Sequence, residues 1–334
     1  MKNIENMPKI ELHVHIEGTL EAKTVLAKIE QKQLNFDPMY LEKLSKPPVF
    51  TSLSDFLKDY YKNMVVLENQ QDFFDLAWNH LKNAKKQNVI YTEIFFDPQP
   101  HIKRGIHLDD VIDGLYQALE KAEKELDLKA KLIMCFLKDE SVDEALNILD
   151  MSKLAIENKK IVGIGFDSNE IENWAAIFKP VVDKARNLGL NVTTHAAENS
   201  FEQDPIEVIN ILNPDRIDHG LYIHKSLEAL KLVKEKEIHL SLCPLPNFYS
   251  KAWLDPKTFP IQVFLDNDIS FSINSDDPAY FGPTTLNDNY LLVNQNNKIS
   301  EEKWKNLLLR TLNSTFTNTE EKEYLKEKIE NYFK

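Results

Sequence analysis

Eight short apolar runs, rich in β-branched residues, recur along this chain and alternate with longer stretches of helical periodicity. Parallel strands need crossover connections that are usually helices, so this rhythm predicts a parallel sheet built from βα units. Eight such units in one chain predict an α/β fold, the (β/α)8 TIM-type barrel. The runs lie at residues 10–15, 89–96, 130–137, 161–166, 191–195, 216–219, 238–242 and 269–274.

The chain has the length and continuity of one barrel with insertions. Its 334 residues contain no repeat, linker or low-complexity tract, so we expect a single catalytic domain over residues 1–334. The connection after the first run is much longer than the others, and it would lie over the barrel mouth. We therefore predict a helical lid-like insertion at residues 19–86. Helices are expected at residues 53–61, 72–85, 108–125, 143–157 and 178–188, and from residue 301 onward.

Charge and composition narrow the possible partners. A formal net charge of -13 argues against binding to a nucleic acid backbone, but not against a small nucleobase. No run approaches the roughly 20 apolar residues of a membrane-spanning helix, and the first residues lack a secretory signal pattern. Cys135 and Cys243 are interpreted as reduced thiols in or beside strands. These features predict a cytoplasmic protein with no membrane partner, and they favour no particular oligomeric state.

Unusual polar residues stand at the ends of nearly all of the apolar runs. In a (β/α)8 enzyme the active site forms at the carboxyl ends of the strands, so these residues are expected to meet there. They are His13, His15 and Glu17 after the first run, Asp97 after the second, Asp167, Ser168 and Glu170 after the fourth, His195 and Glu198 after the fifth, His219 after the sixth, Cys243 after the seventh, and Asp276 and Asp277 after the eighth.

The histidines have the pattern of metal ligands. His13 and His15 are two residues apart on a strand, so both side chains point to the same face and form a chelating pair. One of Asp276 and Asp277 could ligate the metal while the other contacts a substrate. Three histidines, including His195, and one aspartate would hold one zinc with an open position for water.

Seven motifs in this order resemble the adenosine/adenine deaminase family of metal-dependent amidohydrolases, and the adenine deaminase branch most of all. The resemblance runs from Pro8 to about Tyr290. The motifs are HVHIEGTL at 13–20, EIFFDPQPH at 93–101, GFDSNE at 165–170, HAAE at 195–198, RIDHG at 216–220, CPLPN at 243–247 and SDDPAYFG at 275–282.

The resemblance implies a set of ligands and a substrate, an aminopurine. One Zn²⁺, with Fe²⁺ or Mn²⁺ as alternatives, would be held by His13, His15, His195 and Asp276. Cys243 would be a structural member of its motif. The implied reaction is the attack of metal-activated water on C6 of the base, with release of ammonia.

The same resemblance assigns the acid, the base and the contacts to the purine. Glu198 would donate a proton to N1, and His219 would act on the metal-activated water. Asp277 would contact N7. A backbone amide near Ser168 would reach N3, with Glu170 supporting that loop.

Glu17 bears on the choice between adenine and adenosine. Adenosine deaminases commonly have an aspartate at this position that contacts the ribose, and the longer glutamate would intrude there. The prediction is therefore deamination of adenine to hypoxanthine in purine salvage. Departures from the branch pattern at Ala197, Asn199, Pro246 and Pro283 favour a reshaped pocket, and adenosine or an N6-substituted adenine is the alternative substrate.

Two further alternatives change the activity. Another amidohydrolase-type hydrolase with two metals would need a lysine or bridging carboxylate at a central strand end, but Lys138 after the third run is interpreted as a surface residue. A non-catalytic purine binder would have lost ligands, and none of the proposed ligands is lost.

Overall fold

Eight parallel strands form one sheet in which each strand pairs with its neighbour in the chain, in the order β1 to β8. This computed structural model describes residues 3–46, 48–200, 202–282 and 284–334. The predicted (β/α)8 barrel is confirmed. The strands are β1 Lys9–His15, β2 Val89–Phe96, β3 Lys129–Leu137, β4 Ile161–Asp167, β5 Asn191–Ala196, β6 Arg216–His219, β7 His239–Leu242 and β8 Phe271–Ile273.

Helices follow the strands and form the outer layer. The stretch expected as one helix at 143–157 is two helices that meet at Ser152. The helices are α1 Ala22–Lys32, α2 Pro38–Leu44, α3 Leu53–Asn63, α4 Gln70–Lys86, α5 Pro98–Lys103, α6 Leu108–Leu126, α7 Val142–Met151, α8 Lys153–Glu157, α9 Trp174–Asn187, α10 Pro205–Leu212, α11 Leu227–Glu235, α12 Pro244–Tyr249, α13 Ile261–Asp266, α14 Leu286–Asn297, α15 Glu301–Asn313 and α16 Thr319–Phe333.

The seam between β8 and β1 closes the barrel. His15 N donates to the Asp276 carbonyl at 3.0 Å, and Asp276 N donates to the His13 carbonyl at 3.1 Å. One residue before His13 in β1, the seam uses a side chain in place of a backbone carbonyl. There Leu12 N donates to Asn274 Oδ1 at 2.8 Å. Strand β8 covers Phe271–Ile273 of the run at 269–274. The backbones of three predicted metal ligands, His13, His15 and Asp276, therefore close the barrel.

The long first connection divides into two parts. Helix α4 packs along α6 in the outer layer, where Gly114 allows close approach because a Cβ there would collide with the Gln70 carbonyl. Helix α3 instead lies at the barrel mouth, where Phe56 packs against Tyr280 and Phe281 with ring centroids 5.4 and 4.9 Å away. A lid function for residues 19–86 stays a prediction. In the described parts of the chain, no helix has both the length and the apolar character to cross a membrane.

Candidate active site

Three imidazoles and one carboxylate converge at the barrel mouth, all of them buried. His15 Nε2 is 3.1 Å from His195 Nε2. Asp276 Oδ1 is 3.2 Å from His13 Nε2 and 3.6 Å from His15 Nε2. Ligand atoms at 2.0–2.2 Å from a tetrahedral zinc lie roughly 3.3 Å from one another. Three of the six distances among these four side chains therefore match ligands of one metal. Candidate ligand atoms of His13, His195, His219 and Asp276 also lie within 4.8 Å of one another.

The outer nitrogens of two of these rings are held by acceptors. His195 Nδ1 donates to the Phe166 carbonyl at 3.1 Å. His13 Nδ1 is 3.1 Å from Ser241 Oγ, whose own proton goes to Asp218 Oδ1 at 2.7 Å. A proton on Nδ1 leaves the Nε2 lone pair directed into the cluster, which is the arrangement that metal-binding histidines need.

The centre of the cluster suits a cation. His15 Nδ1 lies 3.5 Å from Asp167 Oδ2, and neither oxygen of that carboxylate makes a hydrogen bond to the described residues. His15 Nε2 faces His195 Nε2 at 3.1 Å, and a metal between them would use the lone pairs of both nitrogens. His13 Nε2 is buried and makes no hydrogen bond to the described residues. These observations fit a divalent metal, and its binding by the predicted ligands stays a prediction.

The electrostatics of the cluster agree with this interpretation. Burial lowers the pKa of His15 to about 3 and that of His195 well below its usual value. Both rings therefore favour the neutral form that ligates metals. Burial also acts to lower the pKa of His13, but the Asp276 carboxylate outweighs it and raises this pKa. The point between His13 and Asp276 thus attracts positive charge.

Glu198 and His219 stand beside the cluster and face the same cavity. His219 Nε2 is 3.7 Å from Glu198 Oε2 and 3.9 Å from Asp276 Oδ2. The amide of Asn247 joins them, because its Nδ2 lies 3.1 Å from His219 Nδ1 and 3.3 Å from Glu198 Oε1. A carboxyl group and an imidazole held in this way can move protons to and from one small molecule.

Burial sets the protonation of these groups. It raises the pKa of Glu198 well above its usual value, and the neighbouring Glu202 raises it further. Burial raises the pKa of Asp277 in the same direction, with a contribution from Asp276. Burial lowers the pKa of His219 to about 3. The site therefore offers two carboxyl groups that can donate a proton and one neutral imidazole.

Four residues at the strand ends have left-handed backbone conformations. Their φ angles are +66° at Ser168, +54° at Ala197, +60° at His219 and +60° at Asp276. This conformation costs a non-glycine residue roughly 1–2 kcal/mol. Such strain persists where the surroundings fix the backbone, and it concentrates at functional sites. A glycine at position 197 would avoid this cost. The departure from the branch pattern at Ala197 therefore carries a cost in backbone free energy.

Two of the other departures lie in the described part of the chain. Asn199 Nδ2 donates to Glu202 Oε1 at 3.1 Å. Pro246 is buried in α12, whose first turn is compatible with proline. Pro283 lies outside the described residues.

A small cavity of about 40 Å³ adjoins the cluster. Aromatic and aliphatic side chains of α3 and Phe281 cover one side. The polar lining consists of His15, Tyr60, Tyr61, Asp97, Asp167, Ser168, His195, Glu198, His219, Asp276 and Asp277.

Two predicted substrate contacts lie behind this lining. Glu17 is buried, and its Oε1 accepts from His101 Nε2 at 2.9 Å and from Asp97 N at 3.2 Å. Glu170 Oε2 accepts from Gln203 N at 2.8 Å, which ties the loop after β4 to the loop after β5. Direct contact of either carboxylate with a substrate stays a prediction.

Asp277 lies in the lining because Gly18 leaves room for it. A Cβ at Gly18 would collide with Asp277 Oδ1. This oxygen is buried and has no hydrogen-bond partner among the described residues. It is therefore free to bond a ligand.

Lys138 is buried, and the interpretation of it as a surface residue was wrong. Its side chain is 1 % exposed. Its Nζ donates to the His195 carbonyl at 3.2 Å and to Glu170 Oε1 at 3.3 Å. The ammonium also lies 5.0 Å from the ring centroid of Trp174. Lys138 thus ties the end of β5, which carries His195, to the loop after β4.

Replacement of Lys138 by methionine is expected to lower the free energy of unfolding by about 2–4 kcal/mol, because the partly buried Glu170 and the buried His195 carbonyl lose their donor. Urea denaturation of the purified variant measures this. The matched control is Lys153→Met, since Lys153 is 54 % exposed and, within the described ranges, pairs only with Asp150 at the surface. That change should cost less than about 1 kcal/mol. Equal effects of the two changes would contradict the proposed role of Lys138.

Sequence reasoning assigned no role to four further residues of the site. Asp218 accepts from Thr193 Oγ1 at 2.7 Å and lies 3.6 Å from His195 Nδ1, so it supports two of the imidazoles. Asn247 joins Glu198 to His219. Asp97 and Asp167 line the cavity. All four belong to motifs that resemble the deaminase family. Membership of a motif was the sequence signal that could have identified them as site residues.

Comparisons with known proteins agree with this geometry. The adenosine deaminase family matches residues 8–332. The chain is 39% identical over 325 residues to an adenine deaminase of Crocosphaera subtropica, with 96% of this chain and 98% of the relative covered. The match therefore includes all the residues of the cluster.

Solved structures show the same relationship. The crystal structure of an adenine deaminase from Arthrobacter aurescens has a TM-score of 0.90 and 32% identity, and covers 98% of this chain and 99% of that chain. An amidohydrolase from Burkholderia ambifaria with bound zinc has the same fold, with a TM-score of 0.86, 21% identity, and coverage of 99% of this chain and 91% of that chain. The protein is thus an enzyme that belongs to the adenosine deaminase family.

Proposed function

We propose that this enzyme hydrolyses adenine to hypoxanthine and ammonia, with one Zn²⁺ held by His13, His15, His195 and Asp276. The observation that carries the proposal is the convergence of these four side chains beside the Glu198–His219 pair. His15 Nε2 is 3.1 Å from His195 Nε2, and Asp276 Oδ1 is 3.2 Å from His13 Nε2 and 3.6 Å from His15 Nε2. The relatives from Crocosphaera subtropica and Arthrobacter aurescens, both named adenine deaminases, support this choice of substrate. Purine salvage in the cytoplasm is the proposed setting.

Proton transfer is assigned to Glu198 and His219. When bound, the metal supplies Lewis-acid activation of water. Glu198 donates its proton to N1, which draws electron density from C6 and favours attack there. His219 orients the attacking water and accepts its proton. The water oxygen bonds to C6, the C6–N6 bond breaks, and N6 leaves as ammonia after gaining one proton.

The remaining contacts orient the purine ring. The raised pKa of Asp277 favours a carboxyl group that can donate to the N7 lone pair. Ser168, with its strained backbone, is assigned to present an amide to N3. Groups fixed before the substrate arrives lower the barrier because little reorganisation is left for the reaction itself.

An ultraviolet assay of the metal-loaded enzyme tests the proposal with adenine, adenosine and N6-methyladenine in parallel. Adenine is expected to give the highest kcat/KM, with hypoxanthine as product, and the metal content should be one zinc per chain. A preference for adenosine or for N6-methyladenine would change the proposed substrate and leave the proposed reaction chemistry unchanged. No turnover of any aminopurine by enzyme with a full metal site would contradict the proposed function. Iron or manganese in the active protein would change only the proposed identity of the metal.

A further inference from the structure

Two buried carboxylates in the cavity wall have no part in the mechanism above. Asp97 follows β2 and is 2 % exposed, and Asp167 ends β4 and is 4 % exposed. Both line the cavity. Candidate ligand atoms of Asp97, Asp167 and His15 lie within 4.8 Å of one another. The two acids thus form one pair.

The pair lacks the partners that its burial requires. Asp97 Oδ1 and both carboxylate oxygens of Asp167 make no hydrogen bond to any described residue. A buried polar atom without a partner costs about 1–3 kcal/mol, and a charged one costs more. Because both side chains face the cavity, the natural source of the missing donor is the molecule that binds there.

Adenine has one ring donor that the proposed contacts leave unused. Glu198 is assigned to N1, the Ser168 amide to N3 and Asp277 to N7. The remaining ring nitrogen, N9, carries a hydrogen in free adenine and carries carbon in every nucleoside and nucleotide. We propose that Asp97 and Asp167 accept the N9–H of the substrate and thereby select free purine bases over N9-substituted ones. This inference rests on the proposed function.

Glu17 fits this scheme as the support of the pair. It lies behind the wall, and its Oε1 accepts from the backbone N–H of Asp97 at 3.2 Å. The same oxygen accepts from His101, which fixes the direction of the carboxylate. Glu17 therefore holds Asp97 at the cavity from outside it.

A second metal ion is the competing occupant of the pair. His15 would have to be its third ligand, but His15 Nε2 already points into the main cluster beside His195. A ring that bridges two metals must lose both of its protons. A neutral donor from a purine makes no such demand, so the structure favours the base.

The test compares adenine with 9-methyladenine on the zinc-loaded enzyme. A site built to bond a substrate N–H rejects an analogue without it strongly, so kcat/KM should be at least about 10³-fold higher for adenine. In Asp97→Ala and Asp167→Ala this ratio should fall at least 30-fold, mainly through a higher KM for adenine. The isosteric Asp97→Asn and Asp167→Asn variants should lower the ratio as well, and they serve if the alanine variants do not fold.

Binding supplies a second readout. Calorimetry should show that hypoxanthine binds more tightly than 9-methylhypoxanthine to the wild-type enzyme, and that the difference shrinks in the same variants. Asp183→Asn, on the exposed face of α9, is the matched control and should change neither ratio. Among the described residues its carboxylate pairs only with Lys179 of the same helix.

The outcomes separate this inference from the proposed function. Turnover of adenine and 9-methyladenine within tenfold of each other would overturn the inference and leave the deaminase intact. So would a wild-type ratio that survives unchanged in both aspartate variants. A second metal per chain that is lost in Asp167→Asn would assign the pair to a cation instead. No turnover of either base would contradict the proposed function and remove this inference with it.

Discussion

Glu198→Gln is expected to lower kcat for adenine by a factor of about 10²–10⁴, the usual contribution of a general acid. Glutamine keeps the size of the side chain and its contact with Asn247 but cannot give a proton to N1. Because protonation of N1 helps only when the water attacks C6, the loss should appear in kcat with little change in KM. Steady-state kinetics with measured metal content tests this.

The control for Glu198 is another glutamate of the same region. Glu207 is exposed on α10, nine residues further along the chain, and Glu207→Gln should leave kcat unchanged. Metal content should be equal in the wild type and both variants. Full activity of Glu198→Gln at full metal occupancy would remove this residue from the mechanism.

His195→Ala should have the second large effect, the loss of both bound metal and turnover. The change removes one of three imidazole ligands and leaves the Nε2 lone pair of His15 without its counterpart at 3.1 Å. Loss of a supporting residue typically costs a metal site about 10–100-fold in affinity or activity, and loss of a ligand should cost more. Metal analysis after dialysis, with kcat measured at matched zinc, gives both numbers.

Two variants calibrate this result. Asp218→Asn should show the intermediate loss, because Asp218 lies 3.6 Å from His195 Nδ1 and only supports the ring. His107→Gln should show none, since His107 is exposed and forms no cap hydrogen bond at the start of α6. If His195→Ala retained stoichiometric zinc, the ligand assignment would be wrong.

The barrel and the ring of polar strand ends could be predicted because both follow from local patterns. Alternating apolar runs and helical stretches determine βα units, and the strand-end rule then brings distant residues together. His13 and His15 needed only the two-residue period of a strand to be assigned to one face. These arguments use sequence spacing alone, and the structure places the residues accordingly.

The supporting residues could not be predicted because their roles depend on neighbours in other strands. Lys138 has the sequence environment of a surface lysine, and only its position between β4 and β5 supplies the acceptors that permit its burial. Asp97 and Asp167 are two strands apart in the sheet. Neither run indicates that their side chains turn toward each other. The direction of Glu17, away from the cavity and toward His101, likewise depends on a contact across 84 residues.

The closure of the ring through His13, His15 and Asp276 has a consequence for how the protein is made. During synthesis the two histidines of β1 leave the ribosome first, and their partner on the far side of the seam follows more than 250 residues later. Contacts between such distant segments form late and slowly. The proposed metal centre therefore cannot be completed until nearly the whole chain has been translated, and the half-built cylinder meanwhile exposes an unpaired edge on β1. Metal capture and closure of the cylinder then become one late step, so the supply of metal at that moment would determine how much newly made chain matures.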